Sequence, residues 1–118
     1  MDLESIRKYC LEKKSTKESF PFGNTTLVFK VSGKIFLLMS LESIPLQFNV
    51  KCDPEKAEEL REAYSSVIPA FHMNKKHWNT IIMDGQVNAK HIREMIDDSY
   101  ALVVRSLSLK ERKKLEKH

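Results

Sequence analysis

The sequence lacks the features that mark membrane, secreted and disulfide-rich proteins. Its longest apolar runs, such as Ile35–Met39, are far shorter than the roughly 20 apolar residues that cross a bilayer. The chain does not open with a charged and then apolar segment, so we expect no signal peptide and a cytoplasmic location. Two cysteines, Cys10 and Cys52, are too few for a disulfide framework. The 118 residues, 42% of them hydrophobic, predict one globular domain with one core.

The sequence also lacks the residue patterns of an enzyme or a metal site. It shows no nucleophile–base pair and no glycine-rich phosphate loop. His72 and His77 lie five residues apart with no Cys or acid nearby, which is not a metal-binding spacing. Cys52 precedes a predicted helix, where a thiolate would be stabilised, but no base accompanies it. We therefore expect no enzymatic activity, no catalytic residue, no metal and no cofactor.

The net charge of +4 comes from one end of the chain. From Arg105 onward, six Lys and Arg residues stand against two acids, whereas residues 1–104 hold 14 charges of each sign. The overall charge is therefore weak support for a nucleic-acid partner. We predict a single domain over residues 1–107 and a short basic helix or solubilising tail over residues 108–118.

The segment Phe71–Thr80 is the most distinctive part of the sequence. It contains two lysines, two histidines and the only tryptophan, Trp78, and no acid occurs between Glu62 and Asp84. Unneutralised cations beside an aromatic ring suit an anionic ligand with stackable rings, such as nucleic acid. A solvated loop that leads into a strand with a packed tryptophan is the alternative interpretation.

Hydrophobic periodicity predicts an α+β fold with a mostly antiparallel sheet and helices on one face. Asp2, the Asp53-Pro54 pair and Asn88 are favourable helix starts, and Ser108 with Glu111 forms a capping-box pattern. The predicted strands are Thr26–Val31, Lys34–Ser40, Pro45–Lys51, the short Val67-Ile68 piece and Trp78–Met83.

A sheet covered by helices on one side leaves its other face to water. Strand alternation assigns Ile81 and Met83 to the core. The open face then receives the polar side of each strand, namely Thr26, Lys30, Gln47, Asn49, Lys51, Trp78 and Thr80. The turn Ser32-Gly33-Lys34 would project from this sheet as a hairpin wing.

Five segments in order resemble the MmcQ/YjbR family of small bacterial proteins. They are Phe20–Gly23, Gly33–Phe36, Asn49–Pro54, His72–Thr80 and Ile96–Tyr100. The resemblance covers about residues 1–107. It implies a frataxin-like (CyaY-like) α+β fold, described for this family as a double-wing DNA-binding domain.

Together these observations predict a small, non-enzymatic DNA-binding protein, monomeric and without a membrane partner. It would contact mainly phosphates through the open sheet face and the His72–Trp78 loop. The predicted contact residues are Lys30, Lys34, Asn49, Lys51, Lys75, Lys76, His77 and Trp78. The alternative is a protein-interaction or small-ligand module that presents the same face to an acidic protein, with Trp78 as its anchor.

Overall fold

A computed structural model of the chain describes residues 1–117, so His118, the end of the predicted basic tail, lies outside the described residues. Six strands form one fully antiparallel sheet in the order β1-β2-β3-β4-β6-β5. The strands are β1 Thr16–Ser19, β2 Thr26–Val31, β3 Lys34–Ser40, β4 Gln47–Lys51, β5 Val67–Pro69 and β6 Trp78–Ile82. The helices are α1 Leu3–Leu11, α2 Pro54–Ala63, α3 Ala89–Arg105 and α4 Leu109–Glu116.

The hydrophobic core lies between one face of the sheet and the helices. Every second residue of the central strands points into it, and α3 supplies a stripe at helical spacing that packs on β2, β3 and β4. The predicted α+β class, with helices on one face of the sheet, is confirmed. The core side chains from the sheet include Leu27, Phe29, Val31, Leu37, Met39, Phe48, Val50 and Ile81, and those from α3 are Ile92, Met95, Ile96 and Val103.

Three of the four predicted helix caps form as expected. The Asp2 carboxylate accepts the Ser5 N–H at 2.8 Å, and the Asn88 side chain accepts the His91 N–H at 2.9 Å. Ser108 makes the reciprocal capping box that opens α4. The exception is Asp53, whose side chain makes no capping hydrogen bond. Pro54 still starts α2 favourably, because the first turn of a helix does not need the N–H that proline lacks.

Strand β1 was not predicted from the sequence. It lies where the charged stretch after α1 shows no alternation of apolar and polar residues. Its four residues pair with β2, from Thr16 opposite Val31 to Ser19 opposite Val28. Glu18 of β1 accepts the Arg7 Nε–H at 2.7 Å, which ties this edge strand to α1. Tertiary contacts therefore stabilise a strand that local propensity does not favour.

A β-bulge changes the direction of side chains in β3. The register with β2 shifts after Phe29, so Phe36 and Leu37 both turn toward the helices while Ile35 points to the open face. Ser99 of α3 is fully buried beside this bulge. Its hydroxyl donates to the Phe36 carbonyl at 2.6 Å and accepts the Lys51 N–H at 2.8 Å. One hydroxyl thus joins α3 to both β3 and β4.

The basic segment after Ser108 forms a helix that packs on the domain. Leu107 and Leu115 are buried and belong to the core. The Lys34 ammonium donates to the Ser106 carbonyl at 3.2 Å, at the C-terminal end of α3. No helix within residues 1–117 is long and apolar enough to span a bilayer.

Candidate functional site

The strand register places three lysines and the tryptophan in one row across the open face. Lys17 faces Lys30 in the β1–β2 pair, and Lys51 faces Trp78 in the β4–β6 pair. Ile35, opposite Lys30, lies between them on β3. We call Lys17, Lys30, Lys51 and Trp78 the lysine row. It crosses five strands, a span of roughly 19 Å at the usual strand spacing.

No acid lies among the strand residues of the open face. Glu18 is the only acid in the six strands, and it turns to the helix side, where Arg7 pairs with it. The hydrogen bond from Arg7 keeps the pKa of Glu18 below its ordinary value. Helices α2 and α3 hold seven acids against five Lys and Arg residues. Helices α2 and α3 therefore carry a small net negative charge of −2 on the other side of the sheet from the lysine row, and no strand acid faces the row.

A groove of about 710 Å³ runs along the open face beside the lysine row. Leu38, Asn49, Thr80 and Ile68 follow one another across its floor in register. The loop before β2 contributes Phe22 to its wall, and the loop after β5 contributes Phe71 and Met73. Phe22 and Phe71 are 64% and 62% exposed, values that are high for side chains of this size.

Asn49 is held in a defined position at the centre of this floor. Its Oδ1 accepts the Thr80 hydroxyl at 2.6 Å, and its Nδ2 lies 3.7 Å from the Met73 sulfur. A thioether is a weak acceptor, so Asn49 keeps the capacity to donate to a ligand in the groove.

The His72–Trp78 loop is a compact turn that is anchored from α2. The Asn74 carbonyl accepts the Trp78 N–H at 2.9 Å, and its side chain accepts the Lys76 N–H at 3.0 Å. The Arg61 guanidinium donates to the Lys75 carbonyl and, at 2.7 Å, to the Asn79 side chain. Arg61 therefore holds the loop backbone from the side of α2, while Lys75 and Lys76 stay exposed.

The structure brings together seven of the eight residues predicted from the sequence. Lys30, Asn49, Lys51 and Trp78 lie on the open face, and Lys75, Lys76 and His77 lie in the adjoining loop. The Lys75 ammonium sits 5.3 Å from the centre of the Phe71 ring, a cation–π contact at the groove wall. His77 is half-buried, and its carbonyl accepts the Cys52 N–H at 2.7 Å.

Lys34 is not part of this surface. It pairs with Val31, a core residue, so its side chain turns to the helix side of the sheet and reaches the end of α3. The sequence prediction also missed Lys17, because β1 shows no strand pattern. It gave no role to Phe22 and Phe71, because aromatic residues in loops follow no period that would place them.

Both cysteines are free and buried, and the histidines of the described residues belong to no cluster of metal-ligating side chains. Cys52 is 5% exposed, and burial raises the pKa of its thiol, which opposes the thiolate that a helix start would favour. Burial also raises the pKa of Cys10 to about 12. Across residues 1–117, no group of three His, Cys, Asp or Glu side chains is placed to hold a metal ion.

Comparison with known proteins gives a consistent result. The sequence model of the YjbR family matches residues 11–102. The chain is 36% identical over 113 residues to the uncharacterised protein YbdF of Escherichia coli O157:H7, covering 95% of this chain and 92% of that one. It is 32% identical over 116 residues to the uncharacterised protein YjbR of Escherichia coli K12, covering 98% of each chain.

A solved structure agrees with these relatives. The crystal structure of Deinococcus radiodurans protein DR2400, which carries the domain DUF419, has a TM-score of 0.91 and 39% sequence identity, covering 97% of this chain and 87% of that one. The resemblance seen in the sequence motifs is therefore confirmed, and the chain belongs to the YjbR family.

Proposed function

We propose that this protein binds DNA through the open sheet face, as a cytoplasmic monomer and without catalysing a reaction. The lysine row and the exposed Lys75 and Lys76 of the His72–Trp78 loop contact phosphates. The observation that carries the proposal is the row itself, in which three strand lysines align on a face that has no strand acid.

The lack of strand acids on the open face supports this role despite the neutral body. A polyanion responds to the local potential within about one Debye length, roughly 8 to 10 Å in physiological salt, rather than to the net charge. The seven acids of α2 and α3 lie across the sheet from the row. The Glu18 carboxylate, the only strand acid, pairs with Arg7. The lysines of the row therefore remain available to phosphates.

The same face supports a second candidate, a protein partner with an acidic surface. Phe22 and Phe71 are large, exposed apolar side chains beside cations, which is the composition of a protein-binding hot spot with a charged rim. DNA is the better match, because the cations form an extended row and do not surround Phe22 and Phe71.

A charge-removal experiment tests the proposal. The double variant Lys17→Ala, Lys51→Ala removes two charges of the row, and Lys8→Ala, Lys90→Ala removes two exposed charges from α1 and α3 as a matched control. We expect the first pair to weaken DNA binding and to reduce the slope of log K against log salt by about 1.4 to 1.8, and the control to change neither. Equal affinity of the first pair and the parent at every salt concentration contradicts the proposal.

A further inference from the structure

We infer that the ligand of the open face is single-stranded nucleic acid, whose unpaired bases enter the groove while its backbone follows the lysine row. This inference rests on the proposed function and specifies its ligand. Its basis is the groove beside the lysine row, because a protein that bound phosphates alone would need no such groove.

The chemistry of the groove suits the faces of bases rather than phosphates. No Lys, Arg, Asp or Glu lines it. Leu38 and Ile68 give an apolar floor, and Phe22 and Phe71 stand exposed at its wall. Aromatic side chains stack on any base, and an adjacent row of cations follows the backbone, which is the usual arrangement of single-strand binding surfaces.

Asn49 adds a polar group at the centre of the groove. Its Nδ2 faces only the Met73 sulfur at 3.7 Å, so it can donate to the edge of a seated base. The volume of about 710 Å³ is that of clefts that hold small organic ligands. The groove is therefore both large enough and polar enough at one point to orient a nucleobase.

The shape of the face disfavours a duplex as the preferred ligand. Reading the bases of a duplex needs a helix or a two-stranded ribbon that enters a groove of the DNA. All core-packed helices lie on the far side of the sheet, and Lys34 at the β2–β3 turn bonds to the end of α3 on that same side. The open face itself is concave between the Phe22 and Phe71 loops. In a duplex the base faces are stacked on one another, so only its phosphates can reach the lysine row.

Three probes of equal length separate base contacts from phosphate contacts. They are a labelled single-stranded DNA of mixed sequence, the duplex of that sequence, and an abasic single strand with the same number of phosphates. Fluorescence anisotropy at one fixed salt concentration measures the binding of each. We expect the single strand to bind at least tenfold more tightly than either the duplex or the abasic strand.

The variant Phe22→Ala, Phe71→Ala tests whether the groove is responsible. Each truncation should weaken binding to the normal single strand about fivefold or more and leave binding to the abasic strand unchanged. Leu109→Ala, an equally exposed apolar side chain on α4, is the control and should change neither. Because both phenylalanines are exposed, circular dichroism should show a folded double variant.

The outcomes separate the single-strand inference from the proposed binding of phosphates. Equal binding of the normal and abasic strands, or unchanged binding of the double variant, overturns the single-strand inference and leaves phosphate binding intact. No binding of any probe by the parent protein overturns the proposed function and the inference with it. Tighter binding of the duplex than of the single strand overturns the inference alone.

Discussion

Lys17 and Lys30 stand directly opposite each other on neighbouring strands of the open face. Like charges at such a position repel and destabilise the strand pair. No strand acid on that face lies between them to relieve the repulsion. A destabilising pair of like charges, in a fold whose other local features favour the same structure, is expected where a surface binds a ligand.

Removing one of these lysines should therefore stabilise the fold and weaken the binding of DNA. We expect Lys17→Thr to raise the free energy of unfolding by a few tenths of a kcal/mol, because it relieves the repulsion and places a β-branched residue in a strand. Urea denaturation measures the gain, and DNA binding by the same variant should fall. Lys30→Thr should behave alike, and the double variant should gain less than the sum of the two. Additive gains would show that the two charges do not interact.

Arg61 should govern the position of the His72–Trp78 loop from outside it. Its side chain bonds to Asn79, which is 1% exposed, and to the Lys75 carbonyl. We expect Arg61→Ala to lower the free energy of unfolding by about 1 to 3 kcal/mol, because it leaves the buried Asn79 oxygen without that donor. Trp78 emission should shift as the loop loosens. Arg93→Ala on the exposed side of α3 is the control; an equal effect there would remove Arg61 from this role.

Ser99 should be among the most sensitive polar positions of the core. Ser99→Ala leaves the Phe36 carbonyl and the Lys51 N–H without their shared partner in a buried place. We expect a loss of about 2 kcal/mol in the free energy of unfolding. Ser106→Ala is the matched control, because its hydroxyl also donates to a carbonyl at 2.6 Å but lies at the exposed end of α3, where water can replace it. Similar losses for both serines would contradict the bridging role.

The Arg7–Glu18 ion pair should make the anchoring of β1 sensitive to acid. The Arg7 guanidinium lowers the pKa of Glu18 in the folded protein, so the unfolded chain binds this proton more tightly. The pair therefore adds stability above the ordinary carboxyl pKa and loses it as the pH falls through the lower folded value. Glu18→Gln should be less stable than the parent at neutral pH, and urea midpoints should converge below pH 4.5. Glu58→Gln on α2 should show no such convergence; a constant gap for Glu18→Gln would contradict the linkage.

Neither cysteine should react in the native protein. Burial raises the pKa of Cys10 to about 12 and that of Cys52 above its ordinary value, so little thiolate forms near neutral pH. An aromatic disulfide reagent should modify no thiol at mildly alkaline pH until denaturant exposes both. A thiol that reacts quickly in the folded protein would reopen the possibility of a nucleophile at Cys52.

The strands and helices whose apolar residues recur at a regular spacing could be predicted from the sequence. The alternation in the predicted strands Pro45–Lys51 and Trp78–Met83 correctly put Lys51 and Trp78 on the same face. The helical spacing after Asn88 predicts a buried stripe on α3, and all of its members but Leu102 are buried, namely Ile92, Met95, Ile96, Ser99 and Val103. The two-residue turn at Ser32-Gly33 correctly joined β2 to β3.

The rest depends on tertiary contacts that no local pattern contains. Strand β1 exists because it pairs with β2, and Lys34 faces the helices because its register partner is Val31. The charge count of the body is neutral in sequence, but the fold leaves no strand acid beside the lysine row. The groove is lined by two loops, around Phe22 and Phe71, that are far apart in the chain and lie over the same sheet face.

The two ends of the sheet limit how the molecule can associate with other chains. Its edge strands, β1 and β5, have four and three residues, and β5 ends at Pro69, which has no N–H to offer a new strand. Short edges, with a lysine on one and a proline on the other, discourage a second chain from extending the sheet by main-chain pairing. A partner that binds the sheet would therefore contact side chains across the strands rather than add a strand at either edge.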